Sequence, residues 1–109
     1  MSYELPQDFH VNMRRDGERV EVVMTGELDL DGASRLAADM AEALDAQVSE
    51  VVVDARGITF IDSAGLRSLL AARDLAARNA TAFRIIEPSE SMQWAARVAG
   101  VADLLGAGG

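Results

Sequence analysis

From Phe9 onward the chain alternates apolar and polar residues, with Phe9, Val11 and Met13 set against His10, Asn12 and Arg14. A period of two predicts a strand with one buried face. Asp16-Gly17 is a hairpin signal, because glycine accepts the positive φ of a tight turn; Val20, Val22 and Met24 then restart the alternation, so these strands are expected to be antiparallel. The period then changes. Ala33, Leu36, Ala37, Met40 and Leu44 share one sector of a helical wheel, opposite Arg35, Asp39 and Glu42, which predicts an amphipathic helix from Gly32 to Ala46 with Asp31 as its cap. Val51-Val52-Val53 is short, β-branched and uninterrupted, as in a central strand buried on both faces.

Ile58 to Ile61 leads into Asp62-Ser63 and a second helix, Ala64 to Arg78. Leu66, Leu69, Leu70, Ala76 and Ala77 form its packing face, and Leu75 falls opposite, among Arg67, Ala71, Asp74 and Arg78, as an apolar spot open to a partner. Thr81 to Glu87 reads as a strand, with Phe83 and Ile85 facing one way and Ile86 the other. Pro88-Ser89 starts a short helix through Trp94 and Arg97, Gly100 breaks it, and Val101 to Leu105 forms a last turn. The order β, β, α, β, α, β, α predicts a single α/β domain: a mixed, mostly parallel sheet with a leading antiparallel hairpin and helices packed against it. Residues 9–105 form the domain, residues 1–8 an N-terminal extension and residues 106–109 a loose tail.

Composition narrows the chemistry. A net charge of −8 disfavours nucleic acid and anionic lipid as partners. All ten basic residues are arginines, and cysteine is absent. That removes thiolate and Schiff-base nucleophiles and the lysine of a phosphate loop. No apolar run reaches the roughly 18 residues of a membrane span, so no membrane insertion is expected, and no signal-like start precedes the domain, which points to the cytoplasm.

The most informative stretch is Phe60-Ile61-Asp62-Ser63-Ala64-Gly65-Leu66, which passes from strand to helix. There the first helical amides lack intrahelical partners and the dipole is positive, so a phosphate on Ser63 would meet groups already in place. Gly65 leaves the first turn uncluttered. Arg67, four residues on, lies on the same side, whereas the Asp62 carboxylate opposes a second anion. The bland alternative is that Asp62 or Ser63 simply caps the helix. Elsewhere, Glu27, Asp29, Asp31, Asp54 and Asp62 are candidates for a Mg²⁺ cluster but read more simply as caps and solvated loop residues. His10 reads as a surface residue, and Arg14, Arg15 and Arg19 as solubilising a sheet edge. Met92 and Trp94 read first as helix-packing residues and second as the lining of a groove.

The segment Ile58-Thr59-Phe60-Ile61-Asp62-Ser63-Ala64-Gly65-Leu66 resembles the signature of STAS domains, in particular that of bacterial anti-sigma factor antagonists. Gly26-Glu27-Leu28-Asp29 and Val98-Ala99-Gly100-Val101 are further matches, and the resemblance spans Phe9 to Leu105. It departs from the pattern at Ala64, where serine is also common, and in the short end after Leu105. The resemblance implies a partner switch with no cofactor, no metal and no catalysis by this chain. Ser63 would be phosphorylated by an anti-sigma factor that is itself a serine kinase; the unphosphorylated chain would bind that kinase and free the sigma factor, and a phosphoserine phosphatase would reset it. Asp29, Asp62 and Ser63 match the family's docking residues, and with Ala64, Gly65, Arg67 and the outer side of the second helix, Ala71 and Leu75, they make up the expected docking surface. The rivals are a STAS module held constitutively in a stress-signalling or lipid-transport complex, and a small nucleotide-binding or phosphate-handling enzyme.

Overall fold

In the computed structural model, residues 8–105 are described. The expected extension and tail therefore lie outside the described residues, apart from Asp8. The elements are β1 (His10–Asp16), β2 (Arg19–Leu28), α1 (Leu30–Ala43), β3 (Glu50–Ile61), α2 (Ser63–Arg78), β4 (Ala82–Ile86), α3 (Glu90–Val98) and a 3-10 turn (Ala102–Leu105). The strands lie in the order β1-β2-β3-β4, with β1 antiparallel to β2 and the other two pairs parallel. This is the mixed sheet with a leading hairpin that the period changes predict, turning at Gly17 with φ 65.

The core sits where the alternation places it. Val20, Val22, Met24 and Leu28 of β2 and Val51, Val53 and Ala55 of β3 meet Leu36 and Met40 of α1 and Leu66 and Leu69 of α2. Val51, Val52 and Val53 are all buried, and since successive side chains point to opposite faces, the sheet is covered on both sides at β3. Helices α1 and α2 pack on each other, while α3 packs along β3.

Several boundaries differ from expectation for physical reasons. Helix α1 begins at Leu30, because Asp29 and not Asp31 is its cap, and it ends at Ala43. The Asp45 carboxylate accepts from Gln47 N at 2.8 Å, a local turn that competes with further helix. Ala37 faces solvent, since Gly32, Ala33, Leu36 and Met40 suffice for the contact stripe. On α2 the buried stripe is Gly65, Leu66, Leu69, Ala72 and Ala76. Ala77 is exposed and Leu75 is half-buried, so the expected apolar spot on the outer side of α2 is reduced to Ala71 and the rim of Leu75.

β3 runs unbroken to Ile61 and absorbs two bulges, the first between the pairs Val23↔Asp54 and Thr25↔Gly57. At the second, its partners in β2 step from Gly26↔Ile58 to Glu27↔Phe60, leaving Thr59 over. Each extra residue exchanges the two faces, so Ile58 is buried and Thr59 exposed between them, and after the second the alternation of Val51, Val53 and Ala55 is restored, with Phe60 outward and Ile61 buried. Helix α3 buries only Met92 and Ala96, and Trp94 is not a packing residue: it lies two positions from each, on the opposite side of the helix, and is exposed. Among the described residues no helix is long and apolar enough to cross a membrane.

Leu36 is 1% exposed and central to the α1 contact. Leu36→Ala is expected to lower the unfolding free energy by about 2–5 kcal/mol, read as a shifted urea midpoint with an unchanged slope.

Candidate functional site

The parallel β2–β3 ladder ends on the pair Leu28↔Ile61, and the next residue on each chain segment is an aspartate. Asp29 Oδ1 accepts from Gly32 N at 3.1 Å, and Asp62 Oδ1 accepts from Gly65 N at 2.9 Å. The two caps have nearly the same backbone, φ −105 and ψ −164 at Asp29, φ −106 and ψ −174 at Asp62. One construction, Asp-x-x-Gly, therefore starts both helices at the same sheet edge, joined by Asp62 N donating to Leu28 O at 3.3 Å. Two positive helix ends lie side by side there, and both are already answered by carboxylates.

Gly65 is needed for this closeness. A Cβ at that position would collide with Leu28 O and stand 2.8 Å from Ile61 Cγ1, so α2 begins pressed against the end of β2. The start is further tied by the Ser68 hydroxyl donating to Gly65 O at 2.6 Å. Ser63, the first residue of α2, is exposed. Leu30 holds the matching position on α1 and is 67% exposed.

The expected site residues divide clearly. Ser63, Arg67 and Ala71 are exposed; Asp29, Asp62, Ala64 and Leu75 are half-buried; Gly65 is buried and shapes the face without presenting a group to it. Arg67 forms no salt bridge among the described residues, leaving a guanidinium one helical turn from Ser63. Leu75 lies three turns along α2, away from the paired caps. Of the carboxylates weighed as metal ligands, Asp29 and Asp62 are the caps, and Asp54 accepts from Arg56 N at 3.1 Å and Arg56 Nε at 3.2 Å. His10 is exposed, in a groove of about 320 Å³ that Glu27, Asp29 and Asp31 also line.

Of the apolar side of the face, sequence reasoning offered only Trp94, as its second reading, and missed Phe60 and Val98. Ser63 and Asp62 line a groove of about 190 Å³ with Ile61, Trp94 and Val98. Phe60, Trp94 and Val98 are 47%, 62% and 68% exposed. A wheel of α3 drawn on Met92 and Ala96 would have turned Trp94 outward, and the alternation set by Val51, Val53 and Ala55 likewise puts Phe60 on the face away from Ile61.

The chain belongs to the STAS domain family: the family model described as "Mlab, STAS domain" matches residues 11–106. No curated protein matches it. Among solved structures, it is similar to an anti-sigma factor antagonist from Mycobacterium paratuberculosis, at TM-score 0.79 and 17% identity over 95% of this chain and 88% of that one. The anti-sigma factor antagonist SpoIIAA in its unphosphorylated form gives TM-score 0.73 and 19% identity over 90% of this chain and 85% of that one. SpoIIAA of Bacillus in its phosphorylated form gives 0.69 and 20% over 90% and 88%. Another similar structure, Mglu, gives 0.66 and 19% over 72% of this chain, which spans only 20% of that one. At these identities the likeness establishes the fold.

Asp62→Ala is expected to cost about 1 kcal/mol through loss of the cap, whereas Asp62→Asn, which keeps an acceptor oxygen, stays within a few tenths of wild type. Gly65→Ala is expected to cost roughly 1–3 kcal/mol by overpacking. Thermal unfolding of the three variants checks the order.

Proposed function

We propose that the protein is an anti-sigma factor antagonist of the cytoplasm, a binding protein and kinase substrate with no catalysis of its own, switched by phosphorylation of Ser63. Unphosphorylated, it docks on an anti-sigma factor that is a serine kinase and so frees the sigma factor. Phosphorylated, it lets go, and a phosphoserine phosphatase restores it. The observation that carries this reading is Ser63 itself: an exposed hydroxyl at the first position of α2, on the rim of an exposed apolar groove and next to the Asp62 cap. The docking surface comprises Asp29, Asp62, Ser63, Ala64, Gly65, Arg67 and Ala71, with Leu75 at its far margin.

Magnitudes favour release on phosphorylation. The phosphate adds about −1.5 to −2 charges beside a carboxylate already committed to capping. An exposed ion pair gained with a basic partner is worth roughly 0–1 kcal/mol, but taking a charged group out of water at a covered interface costs several kcal/mol. Each 1.4 kcal/mol is about tenfold in affinity, so desolvation decides the outcome. No change of fold is required, in keeping with the similarity of this chain to SpoIIAA in both its unphosphorylated and its phosphorylated form.

A second reading has its own support in the description of the matching family model, "Mlab, STAS domain". It makes the chain a constitutive module of another complex, such as a lipid-transport or stress-signalling assembly, with Ser63 unmodified. Incubation with the cognate anti-sigma kinase and ATP, read by intact mass, separates the two. The switch gains one phosphate and Ser63→Ala none. Ser63→Ala is expected to bind the kinase as tightly as wild type, and Ser63→Glu about tenfold more weakly or worse. Equal affinity of the two variants would contradict the switch.

A further inference from the structure

Two grooves meet at Ile61, Trp94 and Ala95: one of about 320 Å³ that includes Phe60 and Glu90, and the one of about 190 Å³ that includes Asp62, Ser63 and Val98. Together they form a single trough between α3 and the junction of β3 with α2, ending at Ser63. Its wall is apolar and exposed at Phe60, Trp94 and Val98. A carboxylate stands toward each end, Glu90 and Asp62, and Glu27, Asp29 and Asp31 continue the negative edge past the second. Against these five stand three exposed arginines, Arg67 and Arg97 of the adjoining helices and Arg35, which lines the same groove as Glu27, Asp29 and Asp31. The chain as a whole carries −8.

We infer that the trough is the anchoring half of the docking surface and seats an amphipathic, basic segment of the partner protein, with apolar side chains over Trp94 and Val98 and Lys or Arg opposite Glu90 and Asp62. The inference deepens the docking reading of Ser63 and rests on it for the occupant being a protein. Charge complementarity selects the occupant. A second copy would bring the same carboxylates face to face, and an anionic lipid surface would be repelled. An apolar patch rimmed by an excess of negative charge is the form expected of a groove for such a segment. It also gives Ser63 its leverage, since a phosphate at the end of the trough would be covered by whatever fills it.

Trp94 is the only tryptophan, so its fluorescence reports on the trough alone. The probe is a synthetic helical peptide of about 16 residues, roughly four turns, with leucine on one face and lysine on the other, titrated into the full chain beside the same peptide with glutamate for lysine. The lysine peptide is expected to shift Trp94 emission to the blue in a saturable way, to perturb the amides of Phe60, Ser63 and Val98, and to bind at least about tenfold tighter than the glutamate peptide. Val98→Asp is expected to weaken it by about tenfold, although the change adds an acid, because the apolar wall is lost; Phe60→Ser, on a separate exposed position, is expected to act in the same direction. No saturable shift with the lysine peptide, equal binding of both peptides, tighter binding to Val98→Asp, or a blue shift on concentrating the protein alone would each overturn the proposal. None of these measurements uses the kinase. A trough that binds while Ser63→Ala and Ser63→Glu bind the anti-sigma factor equally marks failure of the switch alone; the reverse pattern marks failure of the trough alone.

Discussion

The register of one parallel strand pair governs the molecule's functional end. Because β2 and β3 finish together on Leu28 and Ile61, the two helices that follow must start side by side, and because each starts on an aspartate whose oxygen accepts from a glycine amide three residues on, both starts are held in the same geometry. The approach is close enough that Gly65 admits no side chain. A residue at the first position of either helix is thereby held outward on a rigid base. In α1 that residue is Leu30, and in α2 it is Ser63.

This arrangement separates stability from signalling. The carboxylates answer the orphan amides at the helix starts, the glycines permit the contact, and the hydroxyl of Ser63 is left with no structural duty in the hydrogen bonds of the site. A group added there changes the surface without touching the core. The apolar trough beside it supplies the sensitivity, since the cost of covering a phosphate depends on how dry the neighbouring contact is.

Most of the architecture is legible in the chain because it depends on local periodicity. The hairpin at Asp16-Gly17, the triple valine of β3, the Ser89 cap of α3 and the Asp62-Ser63 start of α2 each carry their own signal over a few residues. What was not legible depends on long-range pairing. Asp29 and Asp31 are equally good caps in isolation, and only the end of the β2 ladder selects the first. Ile58 is buried and Thr59 exposed because of two bulges that a single strand does not announce, and Leu75 is half-buried because α2 packs on both α1 and the sheet. Trp94 follows the general habit of aromatic residues only if its neighbours are ignored, as Met92 and Ala96 already define the buried side of α3. The cap that starts α2 could thus be read in advance, whereas of the exposed apolar groups only Trp94 was offered, as a second reading.

The most direct test uses the modified protein itself. The chain carrying phosphate on Ser63 and the unmodified chain are compared for affinity to the cognate anti-sigma factor by calorimetry, with amide spectra of both recorded in the free state. The account predicts an affinity loss of about tenfold or more, with spectral changes confined to the start of α2 and the adjoining end of α3. Unchanged affinity, or spectral changes spread through the sheet, would contradict it.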